Sequence, residues 1–311
     1  MEYIITGGTS FIGIALSGLL LKEGHHVYSI CRETSAMLKD IPEDPNLTPV
    51  FTDLGHIGSI ARTIKTADVM IHLAWEGTDH KGREDSELQK KDIEYSKEAV
   101  RTAKQLGCRL FVEAGSQAEY GYTTAPFTEE TPCHPESEYG KAKLAFGAFA
   151  DKYCKENGMK FIHLRIVSVF GEKDKPWTLI ISTIKKMLSN EAIELSSCSQ
   201  NWNFLYIRDA VKQIYLLCRN MLQSATLKSE IYLVGSRDTR PLKEFIEEIR
   251  RISKSESVLL YGRYQPANEM SLSPIMKKTE EATGGFLSDY SFGEAVENMI
   301  DNIRREQSWT K

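Results

Sequence analysis

The chain opens with a short apolar run that meets a glycine-rich turn, and a helical pattern follows at once. Residues 3–6 read Y-I-I-T, and T-G-G-T-S-F-I-G at 6–13 places Ser10 midway between Gly7 and Gly13. A glycine after a strand permits a tight turn, and a glycine at a helix start permits close packing on a sheet. The free N–H groups of that helix N-terminus bind phosphate. The pattern predicts a dinucleotide-binding turn made by Gly7, Thr9, Ser10, Phe11, Ile12 and Gly13.

Apolar runs and helical patterns go on alternating along the chain, as expected for βαβ units. The alternation predicts an α/β protein with a Rossmann-like doubly wound parallel sheet and a smaller C-terminal α/β domain. The predicted strands are 3–6, 26–31, 47–54, 68–74, 108–115, 160–170 and 230–235. The predicted helices include 11–23, 86–106 and 137–156.

The regular alternation loosens after Gly171, and it returns with F-L-Y-I-R-D-A-V at 204–211. We therefore expect two domains, with the chain crossing between them. The first comprises 1–171 plus 201–235 and carries the dinucleotide site, and the second comprises 172–200 plus 236–311.

Charge and composition exclude several classes of partner. The 311 residues hold 39 Lys and Arg against 43 Asp and Glu, so no basic surplus points to nucleic acid or to an anionic membrane. The longest apolar runs are too short to span a bilayer, and the first residues lack a signal-peptide pattern. The six cysteines and seven histidines show no metal-ligand spacing. These observations predict a cytoplasmic protein with no metal site.

A tyrosine and a lysine lie four residues apart at the start of a predicted helix. In Y-G-K-A-K the spacing puts Tyr139 and Lys143 on one helix face. An ammonium beside a phenol favours the phenolate, so we expect a pKa for Tyr139 below the usual value of about 10. Such a tyrosine can exchange a proton with a substrate oxygen.

Several motifs in register give the chain a family resemblance. It resembles the extended short-chain dehydrogenase/reductases, which include NAD(P)-dependent nucleotide-sugar epimerases, dehydratases and ketoreductases. The resemblance runs nearly end to end. Its motifs are T-G-G-T-S-F-I-G, H-L-A at 72–74, A-G-S-Q-A-E-Y-G at 114–121, Y-G-K-A-K, L-R-I-V-S-V-F-G at 164–171, N-F-L-Y-I-R-D-A-V at 203–211 and Y-S-F-G-E-A-V at 290–296.

The resemblance implies roles for individual residues. Ser116, Tyr139 and Lys143 match the catalytic triad, in which the tyrosine is the acid/base and the lysine also holds the nicotinamide ribose. The second domain would bind the nucleotide-sugar. The remaining implied cofactor residues are Asp53 and Leu54 near the adenine, Leu73 and Ala74 in the groove, and Ile166 by the nicotinamide. The implied substrate residues are Ser116, Gln117, Ser168 and Trp202, the last of which would stack on the base or fill the domain seam.

The end of the second strand bears on the choice of cofactor. Family members that use NAD usually carry an acidic residue there, whose carboxylate repels a 2′-phosphate. This chain has Cys31 and then Arg32, and a guanidinium is a good phosphate partner. Ser10 adds a hydroxyl to the same region. We therefore expect NADP(H) in preference to NAD(H).

The residues after Ser116 bear on the reaction. Dehydratases of the family have an Asp-Glu pair there, whereas this chain has Gln117 and Ala118, which cannot do acid/base work. The resemblance points instead to reduction of the C4 ketone of a CDP- or dTDP-linked 4-keto-6-deoxyhexose. An NAD-dependent 4-epimerase is the alternative, and a non-catalytic cofactor-sensing protein is a third possibility.

Two expectations concern the substrate diphosphate and the assembly. Where many UDP-sugar members have an arginine before the aromatic residue, this chain has Trp202-Asn203-Phe204, so another cation must meet the diphosphate. The candidates, which the sequence does not rank, are Lys173, Lys175, Arg208, Arg237, Arg240 and Arg263. In the family the helices at about 86–106 and 137–156 often pair across a dimer, so we expect a homodimer.

Overall fold

The computed structural model describes residues 1–265 and 270–308, and the remainder of the predicted second domain, 266–269 and 309–311, lies outside the described residues. The strands are β1 (Glu2–Thr6), β2 (His26–Cys31), β3 (Leu47–Phe51), β4 (Val69–His72), β5 (Leu110–Ser116), β6 (Lys160–Ile166), β7 (Val169–Phe170), β8 (Ile193–Glu194), β9 (Asn201–Asn203), β10 (Leu205–Tyr206), β11 (Ser229–Val234), β12 (Thr239–Pro241) and β13 (Leu259–Leu260). The helices are α1 (Phe11–Lys22), α2 (Ser86–Gln105), α3 (Glu138–Glu156), α4 (Leu179–Leu188), α5 (Ile207–Gln223), α6 (Leu242–Ser253), α7 (Lys277–Ala282) and α8 (Phe292–Ser308).

Seven parallel strands form the central sheet in the order β11-β6-β5-β4-β1-β2-β3. The order reverses between β1 and β4, and ligands of such sheets bind at the carboxyl ends of the strands beside this reversal. The predicted fold class is confirmed. The carboxyl ends of β1 to β6, and the residues that follow them, carry the predicted cofactor residues and Ser116, whereas Tyr139 and Lys143 lie on α3.

Both faces of the sheet are buried, which explains why its strands are almost continuously apolar. Tyr3 and Ile5 of β1 belong to the core cluster that includes α1 and α5, whereas Ile4 belongs to the cluster under α2 and α3. Because successive side chains of a strand point to opposite faces, one short apolar run serves two cores.

Two predicted strands run more than two residues past the ends of the observed strands, and the other boundaries agree to within two residues. The predicted strand 47–54 ends at Phe51, because Asp53 caps a 3₁₀ segment that begins at Leu54. The predicted strand 160–170 divides, because the chain leaves the sheet after Ile166 and β7 pairs with β10. These departures place 52–53 and 167–168 in loops at the carboxyl edge of the sheet.

The C-terminal part of the chain packs against the end of the sheet. Helices α4, α6 and α8 pack together, β8 pairs with β13, and β9 pairs with β12. Helix α7 returns to pack on α5 and β11. The division into 1–171 plus 201–235 and 172–200 plus 236–311 stays a prediction. No helix in the described part of the chain is long and apolar enough to cross a membrane.

Candidate active site

The glycines of the first turn are packed so closely that a side chain at these positions would clash with neighbouring atoms. Gly7 has a φ of +71°, and a Cβ on it would lie 3.0 Å from the backbone nitrogen of Ala74. A Cβ on Gly13 would lie 2.3 Å from the carbonyl oxygen of Gly7. Gly8, which the sequence analysis did not single out, lies against β2, since its Cβ would be 1.9 Å from Ser29 Oγ. The turn is therefore packed tightly between β2 and β4.

Ser10 begins helix α1 and acts as its N-cap. Its Oγ accepts the N–H of Gly13 at 3.1 Å. The N–H groups of Phe11 and Ile12 donate to no acceptor in the described residues. Two free donors at a helix N-terminus beside a glycine cradle fit the pyrophosphate of a dinucleotide. Thr9, Phe11 and Ile12 are partly buried beside this opening.

An uncharged hydrogen-bonded chain fixes the end of β4 on the coenzyme side. The N–H of Ala74 donates to Thr6 Oγ1, which lies 2.8 Å from His72 Nδ1. The other ring nitrogen of His72 lies 2.9 Å from Ser96 Oγ. Burial, with a smaller effect from the Lys143 ammonium, lowers the pKa of His72 to about 3. A neutral imidazole therefore links β1, β4 and α2, and it sets Leu73 and Ala74 at the groove.

The ends of β2 and β3 place the other predicted cofactor residues. Cys31 is buried, and Arg32 follows it with an exposed guanidinium that forms no ion pair within the described ranges. The Asp53 carboxylate accepts the N–H of His56 and lies 2.7 Å from its ring nitrogen Nδ1. Leu54 is buried. A cation therefore stands free beyond β2, while Asp53 is already engaged within its own turn.

Ser116 ends β5 in a capping box. Its Oγ accepts the N–H of Ala118 at 3.1 Å, and the Glu119 carboxylate accepts the N–H of Ser116 at 2.8 Å. Accepting this N–H leaves the hydroxyl proton of Ser116 free to be donated to a neighbouring oxygen. Glu119 is therefore a structural partner of the predicted catalytic serine, and it faces the interior.

Four charged side chains, called here the ionic cluster, are buried under this turn. His163 donates one N–H to Glu113 and the other to Glu119, both at 2.8 Å. Arg165 donates to the same oxygen of Glu119 at 2.9 Å. The two carboxylates outweigh the effect of burial and raise the pKa of His163 to about 10. The cluster therefore holds two anions and two cations.

Two glycines make the space for the His163 ring. A Cβ on Gly115 would lie 2.6 Å from its Nε2, and a Cβ on Gly147 would lie 2.6 Å from its Cε1. Helix α3 thus approaches the sheet closely over the ionic cluster. The same approach brings Gly140 next to the turn, since its Cβ would lie 2.4 Å from the Ala118 carbonyl oxygen.

Tyr139 lies at the first turn of α3 and is half-buried, near enough to Ser116 for the serine hydroxyl to influence its pKa. The expectation of a lowered pKa is wrong in this arrangement, because burial raises the pKa of Tyr139. Arg83 opposes the rise most strongly, and the Ser116 hydroxyl does so next. The structure therefore brings Ser116 and Tyr139 together, with a phenol that stays protonated at neutral pH.

Lys143 lies on the same face as Tyr139, but its ammonium is directed elsewhere. Its Nζ is 3.6 Å from the ring centroid of Trp75 and 5.9 Å from that of Tyr139. The side chain is buried, with 2% exposed. Burial lowers the pKa of Lys143 to about 8, although Glu113, Glu119 and Asp92 oppose the shift. A cation–π contact with Trp75 therefore replaces the expected contact with the phenol.

The predicted substrate residues lie at the end of β5, in the segments after β5 and β6, and in β9. Gln117 and Ser168 are partly buried, and the Trp202 indole N–H donates to Ser168 Oγ at 3.3 Å. Ile166 and Val167 line the same edge. Trp202 of β9 packs against two of the hydrophobic cores, and both roles that the sequence suggested for it stay predictions.

Most of the cations considered for a diphosphate are already paired. Arg208 binds Glu172, Arg237 binds Glu280, Lys173 binds Asp40, and Arg240 binds Asp238 and Glu248. Lys175 and Arg263 are exposed. The structure therefore favours none of the six cations as the binding group for a diphosphate.

Sequence reasoning missed several residues of the site. Arg83 and Trp75 contact the triad, and His163 with Arg165 supports it from below. One signal was available, because charged residues interrupt the otherwise apolar runs L-F-V-E-A-G and F-I-H-L-R-I. Charges in strands buried on both faces require partners.

The chain is similar to known proteins over its whole length. The profile of the NAD dependent epimerase/dehydratase family matches residues 3–235. The CDP-abequose synthase of Salmonella muenchen is 24% identical over 96% of this chain and 97% of the relative. The dTDP-4-dehydro-6-deoxyglucose reductase of Escherichia coli is 24% identical over 97% of each chain.

Solved structures have the same fold. The dTDP-glucose 4,6-dehydratase of Streptomyces venezuelae, solved with NAD bound, superposes with a TM-score of 0.85 over 99% of this chain and 98% of its own. The two sequences are 20% identical. At this identity the likeness establishes the architecture, and the chemistry must be argued from the residues.

Proposed function

The chain belongs to the NAD dependent epimerase/dehydratase family and is an NAD(P)-dependent oxidoreductase of the extended short-chain type; from this premise we propose that it reduces the C4 ketone of a CDP- or dTDP-linked 4-keto-6-deoxyhexose with NADPH. The observation that carries the proposal is that Tyr139, whose pKa is raised by burial, lies beside Ser116, while the next two positions hold Gln117 and Ala118, which have no acid/base chemistry. This set can donate one proton and perform no dehydration.

In the proposed reaction the nicotinamide coenzyme, when bound, supplies the hydride. Ser116, whose Oγ accepts the N–H of Ala118 and keeps its proton free, would donate that proton in a hydrogen bond to the ketone oxygen. Tyr139 transfers its phenolic proton to that oxygen. The raised pKa of Tyr139 keeps the acid form populated at neutral pH.

Three features support the coenzyme assignment. The free N–H groups of Phe11 and Ile12 would hold the pyrophosphate. Lys143 would turn from Trp75 to the nicotinamide ribose, and the exposed Arg32 would bind the 2′-phosphate of NADPH. We expect Arg32→Asp to weaken NADPH binding by about 1.5–3 kcal/mol and to leave NADH binding less affected. Coenzyme titrations measure both, and an unchanged NADPH/NADH preference contradicts the assignment.

A substrate screen tests the reaction. Purified protein is mixed with CDP-, dTDP-, GDP- and UDP-linked 4-keto-6-deoxyhexoses and with NADPH or NADH, and the loss of absorbance at ~340 nm is followed. We expect turnover with a CDP or dTDP sugar, and a decrease in kcat of about 10²–10⁴-fold in Tyr139→Phe. Turnover that survives in Tyr139→Phe, or that occurs with none of these sugars, refutes the proposal.

The second candidate is an NAD-dependent 4-epimerase. The family description includes this activity, and an epimerase uses the same three residues Ser116, Tyr139 and Lys143. It predicts that the purified protein carries NAD and interconverts sugars with no added coenzyme. Extraction of the coenzyme after heat denaturation distinguishes the two candidates.

We also propose a cytoplasmic homodimer. Helices α2 and α3 pack side by side, and Ala145 of α3 is exposed, whereas Ala142, Phe146 and Ala150 are buried against the sheet. Only the outward part of the face is available to a second copy. Light scattering at several concentrations measures the mass, and a monomer at all of them refutes the dimer.

A further inference from the structure

Arg83 lies against the predicted acid of the active site. It belongs to a short 3₁₀ turn, Gly82–Glu84, in the segment between β4 and α2. Its guanidinium carbon is 4.5 Å from the ring centroid of Tyr139. The side chain is half-buried and forms no ion pair with any residue that the structure describes. An unpaired cation thus covers one face of the phenol.

The segment that carries Arg83 is firmly anchored. The buried Gln89 donates to the carbonyl oxygens of Gly77 and Gly82, both at 2.8 Å, and accepts the indole N–H of Trp75. The buried Asp92 carboxylate accepts the N–H groups of Glu76 and Gly77, each at 3.0 Å. The position of Arg83 is therefore built by α2.

The Lys143 ammonium, which the sequence analysis expected beside the Tyr139 phenol, lies elsewhere in this structure. The Lys143 ammonium lies on Trp75 at 3.6 Å, and its distance to the Tyr139 ring centroid is 5.9 Å. Arg83 is the nearer cation. If Lys143 turns to the coenzyme ribose, as proposed above, Arg83 still lies on the ring.

We propose that Arg83 is a positioning residue for the acid step: its guanidinium orients the Tyr139 ring and stabilises the phenolate that remains after proton transfer. This inference deepens the proposed function and rests on it for the identity of the substrate. In the step, the O–H bond of Tyr139 breaks, an O–H bond forms on the substrate oxygen, and the electron pair stays on the phenolate oxygen. A cation over a ring attracts a phenolate more strongly than a phenol, because the phenolate carries a full negative charge.

Other charged groups face the same phenol, and they decide what the test must separate. Burial raises the pKa of Tyr139 most, Arg83 lowers it, and the buried carboxylates add smaller increases. The groups that face Tyr139 or its neighbour Lys143 are Arg83 before α2, Asp92 on α2, Glu113 on β5, Glu119 after β5 and Lys143 on α3. Of the two cations, Arg83 lies nearer the Tyr139 ring, with its guanidinium carbon 4.5 Å from the centroid against 5.9 Å for the Lys143 ammonium.

The first experiment needs no substrate. Uniform incorporation of difluorotyrosine makes the phenols more acidic, and ¹⁹F NMR then follows their titration in the coenzyme-free protein. Tyr139→Phe identifies the resonance among the 13 tyrosines. We expect it to titrate at higher pH in Arg83→Gln and Arg83→Met than in wild type, with Arg83→Lys in between. Lys81→Gln, which removes an exposed charge from the same segment, should match wild type.

The second experiment uses the ketosugar and NADPH. We expect Arg83→Gln to lower kcat on the order of tenfold with little change in KM, and Arg83→Lys to recover much of the loss. The alkaline limb of the pH–rate profile should move to higher pH in Arg83→Gln, because the acid form persists further. An unshifted ¹⁹F titration, or an effect confined to KM, overturns the inference.

The two experiments separate two failures. A shifted titration without turnover of any ketosugar leaves Arg83 with its role and refutes the proposed substrate. Turnover with an unshifted titration refutes the role of Arg83 and leaves the proposed function. Because Met and Gln differ in polarity, the titration can still be measured in one of the two variants if the other does not fold.

Discussion

Two buried histidines lie on either side of Glu113 and are held in opposite charge states. His72 of β4, Glu113 of β5 and His163 of β6 are in register across three neighbouring strands. His72 is bonded to two hydroxyls and has a pKa lowered to about 3, whereas His163 is bonded to two carboxylates and has a pKa raised to about 10. Burial is common to both, so their partners set the difference.

The contrast extends to the two halves of the site. On the predicted coenzyme side, neutral hydroxyls and a backbone N–H fix the end of β4, and the exposed Arg32 forms no ion pair within the described residues. On the catalytic side, the ionic cluster balances its own charges under Ser116.

The largest effect is expected from breaking the ionic cluster. Glu119→Gln leaves His163 and Arg165 with one carboxylate less, and loss of one member of a buried charge group costs about 3–5 kcal/mol of unfolding free energy. Urea denaturation measures this. The exposed pair Lys90–Glu87 gives the control, because Glu87→Gln should change stability by about 0–1 kcal/mol. A loss as small as that of the control would mean that the cluster is not balanced as described.

The next effect is a pH dependence of opposite sign for the two histidines. The contribution of His163, whose pKa is raised, is full below about 6.5 and lost as pH rises through about 10. The contribution of His72, whose pKa is lowered, is full above about 6.5 and lost as pH falls towards about 3. We compare wild type with His163→Gln and His72→Gln by urea denaturation from acid to alkaline pH. The stability advantage of wild type, on the order of 2 kcal/mol, should shrink at opposite ends; parallel curves would remove the contrast.

A smaller effect is expected on the neutral side. Ser96→Ala removes the partner of His72 and leaves a buried ring nitrogen unpaired, which costs about 1–2 kcal/mol. Ser17 is a matched control, since its buried hydroxyl has no partner among the described residues. Ser17→Ala should leave the unfolding free energy unchanged or raise it. Equal losses in the two variants would show that volume, and not hydrogen bonding, matters here.

The smallest effect compares two helix caps, one in each half of the site. Ser10 and Ser137 each accept a backbone N–H at 3.1 Å, from Gly13 and Gly140 respectively. Replacement of either by alanine should cost about 1 kcal/mol in thermal or urea unfolding. Only Ser137→Ala should also lower kcat, because Tyr139 lies in the turn that it caps. A loss of kcat with unchanged coenzyme affinity in Ser10→Ala would contradict this division.

The sequence predicted the fold well, because its signals are local. Each βα unit is specified within its own segment by a short apolar run and the turn residues that end it. Gly7 and Gly13 lie in the turn and at the helix start, where their spacing indicates. The error at 52–54 arose because Asp53 caps a 3₁₀ segment there. The error at 167–168 arose because the apolar run continues past the point at which its strand partner changes.

The site was predicted less completely, because its support is assembled from distant segments. Glu113 and His163 meet only through strand register, which no local pattern reveals. The spacing of Tyr139 and Lys143 gave the shared helix face correctly, yet the ammonium turned to Trp75, a residue from another part of the chain. Spacing along a helix fixes where a side chain starts, and tertiary neighbours decide where a long one ends.

The paired glycines around His163 have a consequence for the way such a chain can diverge. Any side chain at 115 or 147 would occupy the volume of the imidazole, so neither position can drift while the histidine is present. Conversely, replacing the histidine by a small residue frees both at once. The three positions are therefore expected to change together. A related chain in which the buried imidazolium is replaced is expected to have lost the two glycines as well.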